Sequence, residues 1–111
     1  MGEERGGEVI KGTLEMIVLE VLQRAPMHGW GITEVIERRS DGLLSVNQGS
    51  LYPALYRLVA QGWVSSEWGV SENNRKARYY EITKTGVKQL AREKAHWKSI
   101  TMAVDRVLEG A

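Results

Sequence analysis

The last quarter of the chain constrains the fold most. Residues 84–108 (KTGVKQLAREKAHWKSITMAVDRVL) contain no proline, and their apolar positions recur at steps of three and four. This predicts a single helix of about 25 residues, roughly 38 Å long. A domain of about 100 residues has a radius of gyration near 13 Å, so such a helix projects beyond its own domain. Val87, Leu90, Lys94, Trp97, Thr101, Val104 and Leu108 form a seam of the coiled-coil type, with Lys94 and Thr101 its two imperfect positions. A partner helix would cover that seam. Residues 83–111 are therefore expected to be a C-terminal dimerisation helix.

The preceding segments are shorter. In residues 14–22 (LEMIVLEVL) seven of nine side chains are apolar. Leu14, Ile17, Val18, Val21 and Leu22 make a core-facing stripe, and Met16 and Leu19 fall outside it. A helix apolar nearly all round is usually covered on more than one side. Residues 25–29 (APMHG) interrupt the pattern. A short second helix, with Ile32, Val35 and Ile36 inward, then runs to about Arg39, where Ser40, Asp41 and Gly42 end it. After an extended piece over residues 43–46, Leu51, Leu55, Leu58 and Val59 mark a third helix. It starts near Gln48, is irregular before Pro53 and is stopped by Gly62. Asn47 and Ser50 are both suitable caps.

Beyond Gly62 the period falls to two. Residues 63–68 (WVSSEW) and 78–82 (RYYEI) alternate, placing Val64 with Trp68 and Tyr80 with Ile82 on buried faces. The polar stretch between them, residues 69–77, makes a hairpin with a long basic tip, and Thr83 caps the last helix. The fold class is thus mostly α with a β-hairpin wing: a flexible N-terminal segment (residues 1–10), a winged helix-turn-helix (11–82) and the long C-terminal helix.

In such an arrangement the third helix enters the DNA major groove and the wing reaches the flanking backbone. Gln48, Ser50, Tyr52, Tyr56 and Arg57 lie on the non-core side of the third helix. Their side chains can bond base edges or phosphates, although an ordinary solvated face would look the same. Arg75, Lys76 and Arg78 cluster at the hairpin tip, where packing does not require them and phosphate neutralisation would use them. The net charge of +1 conceals this distribution. Residues 1–37 carry three basic and seven acidic side chains, whereas residues 38–98 carry eleven basic and five acidic.

Other chemistries find little support. The absence of cysteine removes disulfides, thiolate catalysis and cysteine-based zinc sites. His28 and His96 stand in different elements with no evident co-ligand, so neither a metal nor a cofactor is expected. No nucleophile–base order or phosphate-cradling glycine motif points to an enzyme. No run approaches eighteen apolar residues, and the first ten are not an apolar signal core. A cytoplasmic protein with no membrane association is expected.

The segments KGTLEMIVLEVL, HGWGI, GSLYPALYRL, GWVSSEWG and RKARYYEITKTG, in this order and spacing, resemble the PadR-type transcriptional regulators of the short-tailed subgroup. The resemblance runs from about Lys11 to Leu108. It implies a homodimeric, ligand-responsive repressor that binds double-stranded DNA at an inverted-repeat operator through the third helix and wing. Trp30 stands where tyrosine is common in that family, either donating to a phosphate or packing in the core, and Glu81 stands where a basic residue is frequent. Trp97, on the seam, either fills the dimer core or forms with its mate a surface on which a small planar aromatic effector stacks. Some short-tailed relatives bind drugs or dyes near an aromatic at a similar point. The rival readings are a winged-helix module for protein–protein interaction without specific DNA binding, and a small-molecule carrier.

Overall fold

The apolar first helix is the element around which the chain packs. The computed structural model describes the backbone of residues 2–110 and the side chains of residues 13–110. Helix α1 spans Gly2–Arg24. The backbone of residues 2–10, expected as a separate flexible segment, is helical and continuous with it. Once a helix is nucleated each further residue adds a hydrogen bond, and no proline intervenes. Met1 lies outside the described residues. Leu14, Val18, Leu19, Val21 and Leu22 are buried, whereas Met16 and Ile17 are only partly so. Leu19 thus belongs to the core although the stripe excluded it, because α1 is flanked on several sides by the other helices and by the sheet.

Helices α2 (Gly29–Arg39) and α3 (Gln48–Ala60) close the core with Ile32, Ile36, Leu51, Ala54, Leu55 and Leu58. Local chemistry sets their ends. His28 caps α2, its Nδ1 accepting the Gly31 N–H at 3.0 Å. Asn47 caps α3, its Oδ1 accepting the Ser50 N–H at 2.9 Å. The helix then runs unbroken through Pro53, without the expected irregularity. The carbonyl that Pro53 leaves unbonded lies on an exposed turn, where water can serve it. Gly62, at φ 80°, ends α3. The N–H groups of Gly62 and Trp63 return to the carbonyls of Val59 and Leu58, which is the Schellman arrangement.

Three antiparallel strands, β1 (Met27–His28), β2 (Val64–Val70) and β3 (Lys76–Ile82), lie in the order β1-β3-β2. The two-residue β1 pairs Met27 with Tyr80 and is too short to leave a period-two signal. Residues 43–46 join no sheet. Val64, Ser66, Trp68 and Val70 share one face of the hairpin with Ile82, Tyr80, Arg78 and Lys76, their register partners. That face buries Val64 and Tyr80 against the helices, but Trp68, expected in the core, is 58% exposed. A seven-residue strand extends about 23 Å and here outruns the core.

Helix α4 spans Lys84–Leu108 as expected. Thr83 Oγ1 accepts the Gly86 N–H at 3.0 Å, while the hydroxyls of Thr83 and Thr85 both donate to the Gly62 carbonyl at 2.7 and 3.0 Å. Gly86 is required by this clamp, since a Cβ there would run into the Trp63 carbonyl and Ile82. Leu90 is the last buried side chain of α4, and its distal half is largely exposed. The molecule therefore measures 55 × 32 × 21 Å.

Candidate nucleic-acid interface

The packing that buries one side of α3 fixes what the other side presents. Gln48, Ser50, Tyr52 and Tyr56 are all exposed. Tyr52 leans toward the start of α2, where its phenol lies over the Cα of Gly29 so closely that a Cβ at that position would collide with it. This close approach explains the glycine in the HGW motif. Nearby, Tyr80 has its hydroxyl pKa raised, first by burial and then by Tyr52 beside it.

The wing faces Tyr52 across a groove of about 690 Å³ whose walls include Trp30, Tyr52, Trp68, Arg75, Lys76 and Arg78. Lys76 Nζ and the Arg78 guanidinium carbon each stand 5.3 Å from the Trp68 ring centroid, within cation–π range. Arg78 Nε also donates to Ser66 Oγ at 3.1 Å. At the tip, Asn74 adopts φ 60° and the Ser71 N–H bonds the Arg75 carbonyl at 2.8 Å. His28 steadies the wing from β1. Its ring meets Tyr79 edge-on at 5.4 Å, and its Nε2 lies 3.5 Å from Glu72. The Glu72 carboxyl is held below its usual range, first by a backbone hydrogen bond and then by His28. Glu34 and Glu72 are the carboxylates on the groove wall.

The expected site thus divides. Tyr52, Arg75, Lys76 and Arg78 meet at one groove, while Gln48, Ser50 and Tyr56 occupy the exposed side of α3 outside its wall. Arg57 is turned away, donating from Nε to a Glu15 carboxylate oxygen on α1. Because α1 carries a carboxylate where α3 crosses it, the half-exposed Arg57 side chain is engaged by an ion pair rather than standing at the groove. Trp68 is the groove residue that alternation misassigned, and Trp30, 61% exposed, takes the open one of its two expected positions.

A second groove, of about 610 Å³, lies between α1 and α4. Met16, Ile17, Leu44, Trp97 and Thr101 line it, together with the ion pair of Lys94 Nζ and Glu20 at 3.0 Å. Trp97 is 41% exposed there.

Three helices, a short third strand and a hairpin whose tip stands beside the third helix define a winged helix-turn-helix protein. The sequence matches the transcriptional regulator PadR-like family over residues 18–92, more than half of the chain, and the chain belongs to that family. Solved relatives agree along nearly their whole length. A PadR family transcriptional regulator of Eggerthella lenta superposes with a TM-score of 0.82 at 29% identity, covering 98% of this chain and 93% of that one. A transcriptional regulator of Clostridium thermocellum gives 0.82 at 27%, covering 89% and 96%. A PadR-like regulator of Bacillus cereus gives 0.78 at 26%, covering 94% and 99%. Among the described residues no helix is long and apolar enough to cross a membrane.

Proposed function

We propose that this PadR-like regulator acts in the cytoplasm as a homodimeric, ligand-responsive repressor that binds an inverted-repeat operator. The observation that carries the reading is the joint groove, in which Tyr52 of α3 and the three wing cations face the same space. Gln48, Ser50 and Tyr52 read base edges, and Arg75, Lys76 and Arg78 neutralise phosphates. The exposed apolar side chains of α4, among them Val104, Val107 and Leu108, meet those of a second copy, so the two α3 helices approach the two half-sites of a palindrome. A gel-shift titration on DNA from just upstream of the protein's own gene tests this. Retarded, operator-selective bands support it, whereas binding to a partner protein with no retarded DNA favours the interaction-module reading.

The groove between α1 and α4 supports effector sensing at Trp97. The room that the seam leaves at Lys94 and Thr101 opens onto the indole, whose flat apolar face suits a planar aromatic molecule. Calorimetric titration of planar aromatic compounds against wild type and Trp97→Ala decides the point, with about tenfold weaker binding expected in the variant. Equal binding by a variant that remains dimeric would make the tryptophan structural.

A further inference from the structure

We infer that Trp68 is the positioning residue of the wing: its indole holds Lys76 and Arg78 in the arrangement that grips phosphate. The inference rests on the DNA-binding reading above and names a residue that reading does not use. Trp68 is more than half exposed and outside the core, so packing alone does not account for it. It stands directly across the ladder from Arg78 and diagonally from Lys76, on the same face. Both cations lie 5.3 Å from its ring. Among the described residues neither is paired with a carboxylate. The indole therefore restrains them while leaving their charge available.

The restraint matters because lysine and arginine lose rotamer freedom when they bind phosphate, and a side chain already confined loses less. Arg78 is confined twice, by the ring and by Ser66 Oγ on its Nε. Among the described residues no hydrogen bond or ion pair engages its terminal nitrogens, and these can grip a phosphate in the two-point manner that guanidinium allows.

A double-mutant cycle tests the claim, with binding followed by fluorescence anisotropy on a labelled duplex from upstream of the protein's own gene. Trp68→Leu keeps apolar bulk and removes the π face, and it should weaken binding about tenfold. Trp68→Phe keeps a π face and should stay within about threefold of wild type. In a Lys76→Ala/Arg78→Ala background, Trp68→Leu should cost less than about twofold, because the groups it positions are gone. Unchanged circular dichroism melting confirms that Trp68→Leu folds. Wild-type affinity in Trp68→Leu, an equal loss in Trp68→Phe, or the same loss in both backgrounds overturns the inference while DNA binding stands. If the wild type binds no duplex, both readings fall together.

Discussion

Among the described residues two grooves of similar size stand open, about 690 Å³ between α3 and the wing and about 610 Å³ between α1 and α4, and the second is the more apolar. The first is walled by three cations, two carboxylates and aromatic side chains. The second is walled mainly by Met16, Ile17, Val21, Ile36, Leu44 and Trp97, with Arg39, Lys98 and the Lys94–Glu20 pair at its polar side. Water solvates the charged side chains of the first, so a single chain can present it unaided. The second exposes apolar surface of a kind that usually marks an interaction site. Helix α4 links the two. Its first turn is clamped to the Gly62 carbonyl at the end of α3, and its middle is tied to α1 through Lys94. In the dimer proposed above, a change at the apolar groove would act on the helix that sets the spacing of the two α3 helices.

The strongest way to break this contrast is to remove one wall of the apolar groove. Cutting the chain after Gly86 deletes Leu90, whose burial is worth about 1.5–3 kcal/mol, and uncovers the flank of α1 that carries Met16 and Val21. Total stability for a domain of this size is about 5–15 kcal/mol, so the fragment should lose its cooperative melt and aggregate. A soluble, folded monomer by light scattering and circular dichroism would show that the α1–α4 contact is dispensable.

The exposed side of α3, at and beside the polar groove, can be dissected more finely. Alanine at Gln48, Ser50 or Tyr52 should cost about 1–3 kcal/mol on the operator, with little change on scrambled DNA. Because Tyr52 also packs over Gly29, Tyr52→Phe is the variant that isolates the hydroxyl. Equal losses on both DNAs for all three residues would remove sequence reading from α3.

The wing should respond differently, in salt dependence rather than selectivity. Each phosphate contact contributes about 0.9 to the logarithmic salt slope, so alanine at Arg75, Lys76 or Arg78 should reduce its magnitude by about 1.8 in a dimer. Arg57→Ala should leave the slope unchanged, since Glu15 already neutralises that guanidinium. A flattened slope for Arg57→Ala, or none for the three wing variants, would reverse the assignment of cations to the interface.

The features legible in the sequence are those decided within a few residues. Asn47 and Thr83 as caps, Gly62 as a stop, and the length of α4 follow from side-chain reach and backbone geometry alone. The features not legible depend on how far one element extends over another. Alternation puts Trp68 on the face of Val64 correctly, but where the core ends along that face is set by the helices beneath it. Arg57 lies on the outer side of α3 as read, and only the crossing of α1 brings Glu15 to it. Leu19 is buried because α1 is covered on several sides. The glycines at 29 and 86 likewise record close approaches of Tyr52 and of the Trp63 carbonyl, which no local pattern announces.

The smallest expected effect tests the one acidic side chain at the wing tip. The pKa of Glu72 is depressed from its ordinary 4.5, first by a backbone hydrogen bond and then by His28. Any stabilisation it gives is therefore present above 4.5 and is lost as pH falls through the lower value of the folded state. At neutral pH the carboxylate is ionised, and it does two opposing things: it contacts His28, and it places a negative charge in the groove proposed to receive phosphate. The contact with His28 is 3.5 Å long and its acidic partner is 80% exposed, conditions under which an ion pair contributes little. Repulsion of the phosphate chain should therefore prevail. Glu72→Gln should tighten DNA binding about two- to threefold at low salt, the gain shrinking as salt screens it. If anisotropy titrations show weaker binding instead, the grip of His28 on the wing tip outweighs the charge, and the polar groove depends on a fixed wing more than on its net potential.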